Sequence, residues 1–198
     1  VESDLPQLGV NIPAPAMLRF WRMLAHLHGQ VWNAAEPARS LGISEPTVRR
    51  YLDVLTQTFM LRQLQPWHQN LGKRQVKAPK LYFRDSGLLH ALLGIGDFDA
   101  LMAHPRSGAS WEGMVVEQIL RVAQPDEAYF WATHNGAELD LLLLKDDRRI
   151  GVEVKRDIYD RENRETGKST EDLIALKWDG RFGRAMLRAK YEFGDRDH

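Results

Sequence analysis

From Met17 to His28, the apolar residues Leu18, Trp21, Leu24, Ala25 and Leu27 recur at near-helical spacing and Gly29 closes the run. This predicts a helix with one apolar stripe that ends in a left-handed cap. The stretch before it, residues 1–16, carries Pro6, Pro13 and Pro15 without any sustained period and reads as a linker. Further on, Ala38 is followed four places later by Gly42 and six places after that by Val48. That spacing suits a helix-turn-helix: a small residue lets the helices approach, glycine supplies positive φ in the turn, and a branched residue closes the core. Ser44 can cap the second helix and Pro46 fits its first turn. Val48, Tyr51, Leu52 and Leu55 then form the inner stripe and leave Thr47, Arg49 and Arg50 on or near the outer face. Phe59 to Leu64 and Lys80 to Phe83 read as strands around a basic loop holding Lys73, Arg74 and Lys77. Residues 17–84 are therefore expected to form a winged helix-turn-helix.

The second half changes period. Asp85 to Leu93 reads as a short helix, Asp97 to Ala109 as a loop, and Trp111 to Ala123 as a clear helix. Ala128 to Thr133, Glu138 to Leu144 and Arg149 to Lys155 alternate or run apolar at strand length. One helix followed by three strands predicts an α/β (α+β) domain with a mixed sheet over residues 85–155. In residues 156–198 apolar positions are sparse and charges of both signs are mixed, so the expectation is a charged, partly disordered tail with a solvated helix around Thr170 to Lys177.

Composition narrows the class. Hydrophobic residues make up 43% of the 198 and charged residues 27%, which fits a soluble protein and excludes fibrous and disordered classes. No apolar run reaches the length of a membrane span and no signal peptide opens the chain, so the expectation is a cytoplasmic protein with no membrane partner. Cysteine is absent, which excludes disulfides, thiol nucleophiles and cysteine-based metal sites. Any metal must then sit on carboxylate, carbonyl or imidazole. The formal net charge of zero leaves nucleic acid open, because a local basic stripe can coexist with a neutral total. A chain that begins at Val1 is expected to be a fragment of a longer one.

The candidate chemistry lies on the last two strands. If Asp146 and Asp147 make a two-residue turn, Lys145 faces Arg148, and counting back sets Asp140 opposite Glu153 and Glu138 opposite Lys155. The other face then pairs Leu139 with Val154, Leu141 with Val152 and Leu143 with Ile150. Opposed carboxylates roughly 5 Å apart at Cβ repel, and a hard divalent cation such as magnesium would relieve that repulsion. With a lysine beside it, such an ion suits phosphodiester hydrolysis. On the preceding helix, Glu112 points along the centre of the stripe formed by Val116, Ile119, Leu120 and Ala123, whereas Glu117 is expected to face solvent.

A helical glutamate, then Ala-Glu-Leu-Asp (137–140) on one strand and Gly-Val-Glu-Val-Lys (151–155) on the next, resembles the PD-(D/E)XK (restriction-endonuclease-like) nuclease superfamily. Tyr51-Leu52-Asp53, the string from Tyr82 to Leu89, Trp111-Glu112-Gly113 and Glu153-Val154-Lys155 together resemble the C-terminal region of prokaryotic AAA-superfamily ATP-binding proteins. There a winged helix and a nuclease-like domain of unknown function follow the ATPase domain. The resemblance covers about Asp4 to Lys155. It implies Asp140 and Glu153 as metal ligands, Lys155 as catalytic lysine and Glu112 as the helical acid, while the register adds Glu138 and the wheel adds Glu112 as further ligand candidates. It also implies Mg2+ or Mn2+ as cofactor, and ATP only on an upstream domain. Leu139 stands where the proline of the superfamily motif would be, and the tail after Lys155 departs from the family pattern.

Two functions follow as expectations. One is a Mg-dependent endonuclease that binds or cleaves DNA, with Thr47, Arg49, Arg50, Lys73, Arg74 and Lys77 on the duplex. The other is a catalytically inactive module for protein or DNA interaction that regulates the ATPase, its carboxylates neutralised by Lys155 or by arginines. Candidate partners are DNA, the upstream ATPase domain and further copies of the chain. Thr166 to Thr170 lacks the glycine and strand of a phosphate-binding loop, and the histidines lack ligand spacing.

Overall fold

Helix α1 (Ala14–His26) begins before the apolar stripe does, because Pro15 in its first turn gives up an N–H that would have no helical partner anyway. The structure is a computed structural model and describes residues 13–67, 76–133, 136–154, 173–178 and 181–186, the last two by backbone alone. The segment Thr166 to Thr170 and most of the expected tail lie outside these residues, as do Lys73, Arg74 and Lys155.

After the short strand β1 (Gln30–Val31), α2 (Ala35–Leu41) and α3 (Glu45–Gln57) meet at Gly42, whose φ of 68° and ψ of 30° are left-handed. Ser44 caps α3 by accepting the Thr47 N–H, and Val48, Leu52 and Leu55 are buried. Strands β2 (Leu61–Pro66) and β3 (Lys80–Phe83) pair antiparallel, and β1 pairs with the other edge of β3. Asp85 caps α4 (Ser86–Leu93) by accepting the Leu88 N–H at 2.6 Å. The expected loop at 97–109 contains a helix, α5 (Phe98–Ala103), which Asp97 caps at the Ala100 N–H. The long helix α6 spans Ser107–Ala123.

Strands β4 (Glu127–Ala132), β5 (Glu138–Lys145) and β6 (Arg148–Val154) follow, then β7 (Leu173–Trp178) and β8 (Arg181–Met186). The solvated helix expected around Thr170 to Lys177 is thus corrected. Leu173 to Trp178 is a nearly continuous apolar run, and pairing along β6 overrides any helical preference. Eight strands share one order, β1-β3-β2-β4-β5-β6-β7-β8. From β2 through β8 they form a six-stranded mixed sheet, in which the β2–β4 contact at Gln65–Tyr129 and Pro66–Phe130 is parallel. One cluster of buried residues joins α1, α3 and α4, with Phe20, Leu24 and Leu52 at its centre. A second packs α6 on the sheet through Val116, Phe130, Leu141 and Val152, each of which stabilises the fold by about 1.5–3 kcal/mol when fully buried. No helix among the described residues is long and apolar enough to cross a membrane.

Candidate functional site: carboxylates around a buried lysine

The β5–β6 hairpin has the expected register, with Lys145 opposite Arg148, Leu143 opposite Ile150 and Leu141 opposite Val152. Asp146 and Asp147 have φ of 48° and 61°, the paired left-handed conformation of the tightest hairpin turn. The faces differ from expectation. Between Tyr129–Leu142 and Trp131–Leu139 the β4–β5 register shifts by one residue, so Asp140 and Leu141 together oppose Phe130. A bulge of this kind re-aims side chains. Asp140 therefore turns to the α6 side, where Leu141 is also buried, although strict alternation had set them on opposite faces. The β5–β6 ladder ends at Leu141–Val152, and the Val154 N–H donates to Asp140 Oδ2 at 2.8 Å.

On the same side stands Lys80, 5% exposed. Alternation along β3 sends Lys80 and Tyr82 to one face, toward α6. The ammonium is 3.1 Å from Glu112 Oε1, in contact with Glu138 and 3.7 Å from Asp140 Oδ1. The Tyr82 hydroxyl donates to the same oxygen of Glu112. Burial pulls the Lys80 pKa down, but attraction to Glu112 and Glu138 outweighs it and holds the group above its ordinary value. Burial, and then repulsion from Glu112, push Asp140 up to about 6, against the Val154 N–H and Lys80, which favour the charged form. Burial followed by the Glu112 charge raises the Tyr82 phenol well above its ordinary value. Chemically the cluster is a cage of three carboxyl groups around one resident ammonium, and ionisation of Asp140 adds to its negative charge.

The expected residues thus divide. Glu112, Glu138 and Asp140 converge on Lys80. Glu153 is exposed on β6, opposite Ala175 of β7. Arg49, Arg50 and Lys77 are exposed, and Thr47 is half-buried with its hydroxyl 2.8 Å from that of Ser44. Glu45 sits 3.6 Å from Arg49, an exposed pair one helical turn apart that contributes little.

Glu117 overturns its expectation. It is 7% exposed and clamped by two arginines. Arg62 of β2 donates from both Nε and Nη2, the latter at 3.1 Å, and Arg84 donates from Nε at 3.1 Å. The helical wheel failed because α6 is covered on two flanks, by the cage and by the end of the β2–β3 ribbon. Sequence reasoning also missed Lys80 and Tyr82, whose signal was a lysine two places from a tyrosine on a strand otherwise apolar. His28, 1% exposed, accepts the Phe83 N–H at Nδ1 and therefore donates from Nε2 to the Ala109 carbonyl at 3.1 Å.

Fold and site define a mixed α/β protein in which, among the described residues, six helices and a carboxylate–lysine cage are built on one mixed sheet. Residues 1–99 match the family described as Domain of unknown function (DUF8612), and the chain, half of which is matched, belongs to that family. Residues 107–182 match a second family, described as Domain of unknown function (DUF4143). The uncharacterized protein Mb2031c of Mycobacterium bovis and the uncharacterized protein Rv2008c of Mycobacterium tuberculosis are each 54% identical over 156 residues, covering 79% of this chain and 35% of theirs. The chain thus spans about a third of the length of these curated relatives. No solved structure matches it.

Proposed function

We propose that the chain is the C-terminal region of an ATP-binding protein and serves there as a DNA-binding module whose nuclease-like core is not hydrolytic. The observation that carries this reading is the Lys80 ammonium, buried among Glu112, Glu138 and Asp140. It stands where a nuclease of the PD-(D/E)XK type would require a hydrated cation. Magnesium keeps several waters in octahedral geometry at about 2.0–2.1 Å, and such an ion does not fit between carboxylates already bridged by an ammonium. The cage therefore acts as a structural counter-charge that locks α6 to β3 and β5.

DNA binding is supported by the element order α1-β1-α2-α3-β2-β3 with strand order β1-β3-β2, the arrangement of a winged helix. The charge asymmetry agrees. Residues 1–84 hold 11 Lys and Arg against 5 Asp and Glu, whereas residues 85–198 hold 16 against 22. Phosphates are met by the basic half, through Thr47, Arg49 and Arg50 of α3 and the basic residues Lys73, Arg74 and Lys77 that lie between β2 and β3 in the sequence. The likeness to the C-terminal region of AAA-superfamily proteins supports an upstream ATP-binding domain, which on this reading regulates or is regulated by this module.

A second reading is favoured by one observation: three carboxylates face one ammonium, and the bulge turns Asp140 toward Glu112. If Lys80 withdrew, a Mg2+- or Mn2+-dependent endonuclease could be built from Asp140, Glu153, Glu112 and Lys155. Two assays separate the readings. Duplex binding measured across a salt series should weaken for Arg49→Ala and Arg50→Ala, each flattening the salt slope by about 1. Supercoiled plasmid with magnesium or manganese should stay intact. Nicking that Asp140→Ala abolishes would establish the second reading in place of the first.

A further inference from the structure

A cavity of about 440 Å³ opens between β2, the C-terminal half of α6 and the start of β4, within the size range of ligand pockets. Its floor is Leu64, Leu120 and Ala128. At one end lie Arg62, Arg84 and Arg121, with Glu117 buried beneath them. Glu117 spends both oxygens on Arg62 and on the Nε of Arg84, which fixes the two guanidinium planes. The terminal amino groups of Arg84 and the whole guanidinium of exposed Arg121 meet no acceptor among the described residues. Three cations over one carboxylate leave this end positive.

Beside it stands Phe59, whose ring lies 5.4 Å from the Arg84 guanidinium carbon. It is 73% exposed and sits at φ 60°, just past the end of α3, where glycine is the unstrained residue. A bulky side chain in that conformation costs about 1–2 kcal/mol. Strain of this kind marks candidate functional positions, and here it holds an aromatic ring open to solvent against a fixed arginine.

We propose that this cleft binds an acidic peptide segment of a partner, its carboxylate taken by Arg84 and Arg121 and a neighbouring apolar side chain packed on Phe59. Guanidinium edges fixed by a buried acid are suited to bidentate carboxylate recognition. The opposite end of the cleft carries Asp126 and Glu127, each already accepting a protein hydrogen bond, and these would repel a continuous run of phosphates. A peptide that offers one carboxylate to the arginines and uncharged side chains to the rest of the cleft meets both ends, and nucleic acid does not.

The test is fluorescence anisotropy of a labelled acidic peptide, a single glutamate among leucines and serines, added to the 198-residue chain. A lysine–leucine peptide serves as control, and inorganic phosphate and a single-stranded oligonucleotide as competitors. Saturable binding is expected for the acidic peptide only, at least tenfold weaker in Arg84→Gln and in Arg121→Gln. Arg121 has no partner to lose among the described residues, so its variant keeps the fold even if Arg84→Gln does not. Phe59→Gly should weaken binding without lowering the melting temperature. Absence of saturable binding, binding indifferent to Arg121→Gln, or displacement by phosphate or oligonucleotide would overturn the proposal. So would a Phe59→Gly variant that melts earlier and binds equally well.

Discussion

Gly113 of α6 faces the ring of His28 so closely that a Cβ at 113 would lie 2.4 Å from its Nε2 and 2.6 Å from its Cε1. Tyr82 Cδ1 would stand 3.2 Å away on another side. The ring cannot retreat, since Phe83 and Ala109 hold both of its nitrogens. This is a physical reason for glycine after Trp111-Glu112: it lets α6 approach close enough for Glu112 to reach Tyr82 and Lys80. Gly113→Ala should therefore destabilise by about 1–3 kcal/mol, despite the better helix propensity of alanine. Urea unfolding of the variant checks it, and an unchanged midpoint would show that the helix shifts freely.

His28 also makes stability depend on pH. Burial lowers it from 6.5 to about 4, with His90 and Arg106 adding to that and the Ala109 carbonyl opposing it. Between these values the unfolded chain binds a proton that the folded one refuses. Stability from this group is thus complete above pH 6.5 and is lost as pH falls toward 4, a change of up to about 3 kcal/mol. Melting temperature measured from pH 7 to pH 4 should drop steeply, and His28→Gln should flatten that drop even where it lowers stability at pH 7.

Asp140 works in the opposite sense. Its folded value of about 6 stands above the ordinary 3.8, so the folded state holds the proton more tightly and this carboxylate destabilises the fold as pH rises through that window. Asn at 140 can still accept the Val154 N–H without repelling Glu112. Asp140→Asn should then gain up to about 2 kcal/mol over the parent at pH 7.5, the partial solvation of the group keeping the figure below the full linkage value. The gain should vanish near pH 4. Denaturant midpoints at the two pH values decide it.

How far the sequence reaches can be judged from these residues. The β5–β6 hairpin was legible because Asp146-Asp147 and the alternation of Leu141, Leu143, Ile150 and Val152 agree on one register. The turn at Gly42 and the caps at Ser44 and Asp85 were legible for a similar reason, since each is a local solution to helix ends. The bulge at Asp140–Leu141 was not, because neither residue marks a break in period and only the partner strand reveals the extra residue. Lys80 escaped notice because its partners lie 32 residues or more along the chain, and a lone lysine on a strand ordinarily faces water. Glu117 was misplaced for a related reason: a wheel built on one core has no term for arginines arriving from a second flank.

Lys80 supports the last prediction. Its ammonium is the only cation shown against Glu112, Glu138 and Asp140 among the described residues. Its ammonium lies over the Phe130 ring, 5.7 Å from the ring centre. Lys80→Met keeps the stem and removes the charge, leaving three carboxylates to repel one another in a partly buried site. Breaking such a set by deleting one partner typically costs about 3–5 kcal/mol. If the cost is electrostatic it must shrink in acid, because protonation of Asp140 removes much of the repulsion that Lys80 had offset. The deficit against the parent should thus be large at pH 7.5 and less than half as large at pH 5. Combining Lys80→Met with Asp140→Asn should recover part of it at pH 7.5, the non-additive outcome expected of side chains in direct contact. A deficit independent of pH and additive with Asp140→Asn would instead mean that Lys80 serves by packing, and the carboxylate cage would be free to take another cation.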